Sequence, residues 1–263
     1  VRQRADVLDD PFSLSVGFML PHQPFVARRD DFERFAVRLG PPQTPQPFSE
    51  DLHPHFKQWR RECGIVDVPN DEIHRARVAY WALVYRMDVM IGQILDALER
   101  NGLADNTFIV YSSDHGEQVG EHGLWWKQTF YDDSARVPAI LSWPGRLPEG
   151  TRCDRIISSL DLNATMLDAL GAPPLPTSRG RSLLPLIDDP ANAEWDDVAF
   201  SEYVTSDGCL HRMIRSGHWK LCYYHGQPSQ LFNIQDDPRE TDDRSADPDC
   251  QTLLKELTER VLD

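Results

Sequence analysis

Apolar residues recur along the chain with two different spacings, which predicts a protein that mixes helices and strands. Residues 70–102 repeat them at helical spacing, with acids in the first turn and a glycine at the end, so one long helix is expected there. β-type runs follow at 107–111 and 136–145, and a short helix is expected at 159–171. This alternation predicts a mixed, largely parallel sheet flanked by helices.

The segments before the long helix differ in character. "FSLSVGFML" at residues 12–20 is continuously apolar enough to predict a buried strand. Residues 39–56, "LGPPQTPQPFSEDLHPHF", carry too many prolines for regular structure and predict an irregular excursion near a site entrance.

The last quarter of the chain has short alternating runs instead. Segments 197–204, 209–226 and 230–241 predict strands joined by tight turns, and residues 247–263 predict a closing amphipathic helix. We therefore expect two units, an α/β domain at 1–190 and a small antiparallel α+β subdomain at 191–263.

Composition narrows the classes of function. The net charge of -15 argues against a nucleic acid as partner, and no run approaches the 18 apolar residues of a membrane span. The five scattered cysteines favour free thiols and a cytoplasmic location. The first ten residues resemble neither a signal peptide nor the start of a fold, so we expect an upstream segment to be missing; a periplasmic or secreted location stays an alternative. A homo-oligomer is compatible with these features.

Candidate chemistry gathers on the loop after the 107–111 run. Asp114 and His115 carry two side chains that bind divalent metals, and Gly116 permits a sharp bend that turns both toward one ion. Two ligands make an incomplete site, so further ligands must come from elsewhere. The alternative is a polar surface turn with an exposed histidine.

Two cationic or proton-carrying groups are the next candidates. Lys127 lies among aromatic residues, which would desolvate its ammonium and strengthen its field on an anion; the alternative is a lysine that covers aromatic surface. His22 lies between two prolines after the expected strand at 12–20, where a plain loop histidine is the alternative.

Asp114, His115 and Lys127 all lie in the segment "SSDHGEQVGEHGLWWKQTFYDDSARVPAILSWPG". This segment resembles the sulfatase family of the alkaline phosphatase superfamily. That family's pattern runs from a strand through SDHG, GxHG and a lysine to RVP and a strand ending in PG. The flanking helices and the C-terminal hairpin with "LFNIQDDPRE" extend the resemblance over about residues 14–263. The motif residues are most similar to those of choline-sulfatase-like and arylsulfatase-like members. The resemblance implies an alkaline-phosphatase-like fold in which 1–190 is the C-terminal part of the catalytic domain.

The resemblance implies a role for each candidate. Asp114 and His115 match two metal ligands, for Ca²⁺ first and Mn²⁺ or Mg²⁺ as alternatives. Lys127 matches the lysine that contacts the sulfate and assists the leaving oxygen, and His22 matches a histidine that contacts the same group.

Two further residues match supporting positions. His122 is expected to support the geometry of the loop. Arg136 is expected to anchor the loop through carboxylates such as Asp132 or Asp133 and not to touch substrate.

One departure from the family matters. The family's nucleophile is a formylglycine made from Cys or Ser in C/S-x-P-x-R, and the only such motif in this chain is Ser142 to Arg146. It follows the metal motif instead of preceding it, and "LPEG" after it breaks any helix, so Ser142 is expected to be a chance match. The nucleophile and the remaining metal ligands are expected in the missing upstream part.

The implied function is hydrolysis of a small sulfate ester, with this chain alone inactive. The alternatives are a phosphonate monoester or phosphodiester hydrolase of the same superfamily, and an inactive fragment. Trp125, Trp126 and Tyr131 could hold a quaternary ammonium such as choline, or could be core residues.

Overall fold

The computed structural model describes residues 11–189, 194–205 and 208–263. In these ranges the helices are α1 (Arg29–Ala36), α2 (Pro54–Glu62), α3 (Asn70–Arg100), α4 (Asp132–Ala135), α5 (Ser159–Ala169), α6 (Leu184–Asp188) and α7 (Gln251–Leu262). The strands are β1 (Ile109–Ser112), β2 (Ala139–Ser142), β3 (Val198–Val204), β4 (Leu210–Ser216), β5 (Trp219–Tyr224) and β6 (Gln230–Asn233).

The long helix α3 forms where the apolar spacing predicts it. Its buried face contains Val78, Ala82 and Leu83, which are spaced as residues on one side of a helix must be. α1 packs against α3, and Arg86 donates to both oxygens of the buried Asp31 carboxylate, at 2.8 and 2.6 Å for Nη2. α1 is therefore held on α3 by a buried ion pair as well as by packing.

The strands β1 and β2 form a two-stranded antiparallel sheet, with Ile109 opposite Ser142 and Ser112 opposite Ala139. The largely parallel arrangement that the alternation predicts is not seen in any strand pair of the described ranges, all of which are antiparallel. A parallel pair needs a crossover connection, usually an α-helix that packs on the sheet, whereas the segment between β1 and β2 carries only the four-residue α4 and a 3₁₀ turn at Glu121–Gly123. The chain therefore returns beside β1 in the opposite direction.

The strand predicted at residues 12–20 does not form. The backbone of these residues pairs with no strand of the described ranges, and Leu14, Val16 and Met19 are exposed. A strand needs a neighbour to accept its backbone hydrogen bonds, and no described strand lies beside this segment. Apolar composition alone was an insufficient signal here.

The C-terminal strands form one antiparallel sheet in the order β3-β4-β5-β6, as predicted. One face packs against α7 through a core that includes Ile214, Leu221, Leu231 and Leu257. The predicted domain boundary between 190 and 191 lies outside the described residues and stays a prediction.

The described helices and the cysteines both bear on predictions from the sequence. Among the described helices, none is both long enough and apolar enough to cross a bilayer. Cys63, Cys153, Cys222 and Cys250 carry free thiols.

Candidate active site

The loop that leaves β1 brings the two expected metal ligands together. Asp114 Oδ1 accepts the backbone N–H of His115 at 3.0 Å and the hydroxyl of Ser113 at 3.3 Å. Its other oxygen, Oδ2, lies 3.5 Å from Nε2 of His115. The Asp114 side chain is 84% exposed, so the two donor atoms converge at an open face of the loop.

Backbone carbonyls fix the tautomers of two histidines. His115 Nδ1 lies 2.8 Å from the Gly116 carbonyl, and His22 Nδ1 lies 2.7 Å from the Gln23 carbonyl. A carbonyl oxygen only accepts, so Nδ1 carries the proton in each neutral ring and Nε2 keeps its lone pair. Nε2 of His115 and Nε2 of His22 therefore each present a lone pair.

Lys127 faces the lone pair on His22. Its Nζ donates to Nε2 of His22 at 3.0 Å, although the two residues are 105 positions apart in the chain. The rings of His22 and His115 lie 6.3 Å apart, centroid to centroid. The fold thus places an ammonium, an imidazole and the Asp114–His115 pair side by side, as an anion-binding site beside a cation-binding site would require.

Two carboxylates in the loop respond to these neighbours in different ways. Partial desolvation raises the pKa of Asp114, but the His115 ring and hydrogen bonds from the backbone outweigh it, so the pKa stays below its usual value. Burial raises the pKa of Glu117 in spite of hydrogen bonds from Trp126 and Val119 and the nearby charge of Lys127. The surroundings therefore favour the charged form at Asp114 and disfavour it at Glu117.

Backbone contacts hold the start of the loop against α4. The N–H groups of Gly116 and Glu117 donate to the carbonyls of Ser134 and Asp133, at 2.7 and 2.8 Å. A Cβ on Gly116 would lie 2.2 Å from the Asp133 carbonyl oxygen. The glycine is needed for this close approach and not for a positive φ, so the expected bend has a different cause from the one predicted.

Glu121 anchors the far side of the loop to the Pro-rich segment. Its Oε2 accepts the backbone N–H of Gln43 and both the N–H and the hydroxyl of Thr44, at 2.8 to 2.9 Å. Its Oε1 accepts from Arg77 of α3 at 3.0 Å, and the same Arg77 nitrogen reaches the Val119 carbonyl at 2.8 Å. The Pro-rich excursion therefore braces the loop.

A buried ion network fastens α4 to the C-terminal sheet. Lys220 of β5 donates to Glu240 Oε1 at 2.6 Å, to the Phe130 carbonyl at 2.9 Å and to Asp132. Glu240 Oε2 in turn accepts the backbone N–H of Asp132 at 2.6 Å. The position of the loop thus depends on the C-terminal unit.

The two expected supporting residues differ in their surroundings. His122 is buried and stacks on Tyr131 with ring centroids 3.9 Å apart, and burial lowers its pKa to about 4. Arg136 is 80% exposed and lies 3.9 Å from Asp132, a weak surface pair. The supporting roles of both residues remain predictions.

The aromatic residues considered for a quaternary ammonium are mainly core residues. Trp125 packs with Ile65 and Val119, whereas Tyr131 packs in a separate cluster with Phe56. Trp126 is half-buried beside the Trp125 cluster. The three side chains therefore do not share one open cage.

Ser142 lies at the wrong end of the two-stranded sheet to serve the site. It pairs with Ile109 at the start of β1, whereas Asp114 follows Ser112 at the other end. At about 3.4 Å per residue, these ends are about 10 Å apart.

Sequence reasoning missed Glu117 and the Lys220–Glu240 pair. Glu117 directly follows the SDHG stretch, and this position next to the candidate ligands makes it a candidate for a role at the site. Lys220 interrupts a buried strand, "WKLCYY", and a charge at an inward position predicts a buried partner.

The donor chemistry of Asp114 and His115 fits a divalent cation, since carboxylate oxygen suits Ca²⁺ and imidazole suits Mn²⁺ and related ions. In the part of the chain that the structure describes, no group of three or more His, Cys, Asp or Glu residues could hold a metal ion. A metal site built on Asp114 and His115 would therefore need ligands beyond these two residues.

Comparisons with known proteins point to one family. The family model named Sulfatase matches residues 2–172, and the model described as N-sulphoglucosamine sulphohydrolase, C-terminal, matches residues 120–263.

Three relatives illustrate the similarity. The chain is 32% identical over 255 residues to the choline-sulfatase of Rhizobium meliloti (strain 1021), covering 94% of this chain and 49% of that protein. It is 31% identical over 265 residues to human (Homo sapiens) arylsulfatase K, covering 91% and 49%. The solved phosphonate monoester hydrolase SpPMH from Silicibacter pomeroyi superposes with a TM-score of 0.80 at 26% identity, covering 91% of this chain and 53% of that one. The chain spans about half the length of the curated relatives it matches.

Proposed function

This chain belongs to the sulfatase family of the alkaline phosphatase superfamily, and we propose on that basis that it acts in the hydrolysis of sulfate esters. The observation that carries the proposal is the 3.0 Å contact between Lys127 Nζ and His22 Nε2 beside the Asp114–His115 pair. An anionic sulfate group needs positive charge and hydrogen-bond donors, and an ammonium beside a bound cation supplies both.

The hydrogen bond to His22 orients the Lys127 ammonium. An ammonium has three N–H donors, and the lone pair of His22 Nε2 accepts one of them. The remaining two are available to a sulfate oxygen and to the oxygen of the leaving alcohol. As the bond from sulfur to that oxygen breaks, the Lys127 ammonium stabilises the developing negative charge and can pass a proton to it.

A divalent cation is part of the proposal. Asp114 and His115 Nε2 would hold it, with Ca²⁺ as the first candidate and Mn²⁺ or Mg²⁺ as alternatives. When bound, such an ion supplies Lewis-acid polarisation of the sulfate. Its remaining ligands and a formylglycine nucleophile are proposed to lie outside this sequence, so we expect this chain alone to hydrolyse no ester.

The test uses a version of the protein that includes the proposed formylglycine segment. Lys127→Ala should lower the rate of p-nitrophenyl sulfate hydrolysis about 10²–10⁴-fold, the usual value of one electrostatic or acid group. Lys255→Ala is the matched control, because Lys255 lies on α7 with a 79% exposed side chain. A Lys127→Ala rate close to that of the unchanged protein would refute the role.

A second candidate is hydrolysis of phosphonate monoesters or phosphodiesters. It is favoured by the TM-score of 0.80 with SpPMH, and the two tetrahedral anions place similar demands on Lys127. Parallel assays with p-nitrophenyl sulfate, choline sulfate and a phenyl phosphonate would separate the candidates. A preference for the phosphonate would replace the sulfatase proposal, and failure on all three would support an inactive protein.

A further inference from the structure

We propose that Glu117 is a positioning residue that sets where the Lys127 ammonium stands, acting through the backbone of the loop. The importance of this placement for catalysis rests on the proposed function. The placement itself rests only on contacts within this chain.

Glu117 binds the loop at two points through a single oxygen. Its Oε1 accepts the backbone N–H of Trp126, the residue that directly precedes Lys127. The same oxygen accepts the N–H of Val119 at 3.3 Å. One half-buried carboxylate therefore ties the beginning of the loop to the residue that carries the lysine into the site.

Both residues that donate to Glu117 have left-handed backbone conformations. Val119 has φ 44° and Trp126 has φ 66°. Such values are unfavourable for residues other than glycine and persist only where the surroundings determine them, and for a β-branched valine they are rare. The hydrogen bonds that Val119 and Trp126 donate to Glu117 can offset the cost of these left-handed conformations.

The two hydrogen bonds from Val119 and Trp126 to Glu117 form a clamp, and a backbone contact closes this clamp into a ring of residues 117–119 and 126. The N–H of Gln118 donates to the Trp126 carbonyl at 2.9 Å, so residues 117–119 and 126 are joined in both directions. Lys127 leaves the ring on the side where His22 Nε2 stands. If Glu117 released Trp126, the backbone at 126 could return to an ordinary φ, and this would swing the Lys127 side chain away from His22.

The four lysines of the chain make the proposal measurable without substrate. They are Lys57, Lys127, Lys220 and Lys255. In a chain labelled with [ε-¹³C]lysine, ¹H–¹³C correlation spectra give one signal for each, and Lys127→Arg identifies the signal of Lys127. Glu117→Ala removes the clamp, and Glu117→Gln keeps an oxygen that can accept both N–H groups. The matched control is Asp237→Ala, because Asp237 Oδ2 also accepts two backbone N–H groups, from Thr241 and Asp242.

The expected result is that Glu117→Ala moves the Lys127 signal toward that of exposed Lys255 and abolishes its contact with the His22 ring. Glu117→Gln should keep both near their original state, and Asp237→Ala should leave Lys127 unchanged. In the version with the formylglycine segment, Glu117→Ala should lower kcat about 10-fold or more with a smaller change in KM, since the displaced ammonium acts mainly on the leaving group.

An unchanged Lys127 signal in Glu117→Ala would overturn the proposal, and so would a Glu117→Gln variant as displaced as the alanine variant. If Glu117→Ala does not fold, Glu117→Asp takes its place, because its carboxylate is one methylene too short to reach Trp126. A displaced Lys127 in that variant supports the clamp, and an undisplaced one overturns it. If Lys127 moves as expected but the protein hydrolyses no sulfate ester, the clamp stands and the proposed function fails.

Discussion

Replacing Lys220 by methionine (Lys220→Met) should lower the free energy of unfolding by about 3–5 kcal/mol, the cost of leaving a buried carboxylate without its partner. The side chain of Lys220 is 1% exposed and that of Glu240 is 2% exposed. Burial by itself lowers the pKa of Lys220, but the carboxylates of Glu240 and Asp132 outweigh it and hold the pKa above its usual value. Lys220 is therefore charged at neutral pH, and its loss removes a full ion pair.

The magnitude follows from what remains after the substitution. Methionine fills nearly the same volume, so the cavity contribution is small. Glu240 keeps one donor, the backbone N–H of Asp132 at 2.6 Å, and loses the ammonium at 2.6 Å. The Phe130 carbonyl loses its donor as well, and this lost hydrogen bond places the expected effect toward the upper end of that range.

Urea denaturation followed by circular dichroism measures the effect. The control is Lys255→Met, because Lys255 is exposed and lies 3.9 Å from Glu259, and a surface pair of this kind contributes about 0–1 kcal/mol. The double variant Lys220→Met/Glu240→Gln should recover part of the loss, since it removes the stranded charge. If Lys220→Met is as stable as Lys255→Met, the assignment of this network as an anchor between α4 and the C-terminal sheet is wrong.

Two further predictions concern the loop and its histidines. Gly116→Ala should destabilise the loop and lower the thermal midpoint, because its Cβ would meet the Asp133 carbonyl oxygen at 2.2 Å; Gly92→Ala in α3 is the control, since a Cβ there meets open space among the described residues and should be neutral or stabilising. Acid should also destabilise the protein: His55 and His122 both have pKa values lowered to about 4 by burial, so the unfolded state binds more protons between pH 4 and 6.5, and stability falls as pH falls through that window. Together they should cost about 4 kcal/mol between pH 7 and 5, and His122→Phe should remove about half of that slope in urea titrations at several pH values. A slope unchanged in His122→Phe would contradict the second prediction.

Local patterns determined most of the elements. α3, α5, the four C-terminal strands and α7 form where the spacing of apolar residues predicts them, because each element buries one face and its period is written in the sequence. The segment at 12–20 shows the limit of this reasoning. Its apolar composition is that of a buried strand, yet a strand exists only beside a hydrogen-bonding neighbour, and composition does not specify one.

The orientation of β1 and β2 was also beyond the local pattern. Alternation of strands and helices favoured a parallel sheet, but direction depends on the connection, and the loop between these strands folds back against α4 without a crossover helix. Tertiary contacts at Gly116 and Lys220 hold that loop. The lysine in a buried strand predicts that a partner exists, but the sequence nearby does not specify which residue it is.

The sequence by itself determined which chemical groups this protein offers: a carboxylate and two imidazoles, a lysine, and the family motif that joins them. Only the tertiary structure decided which of them meet. Lys127 and His22 touch although 105 positions separate them, whereas Ser142, which satisfies the nucleophile motif by letter, pairs with the far end of β1. The physical reason is that a motif fixes residue types along one segment, whereas a site depends on distances and directions set by packing, hydrogen bonds and strained turns between segments.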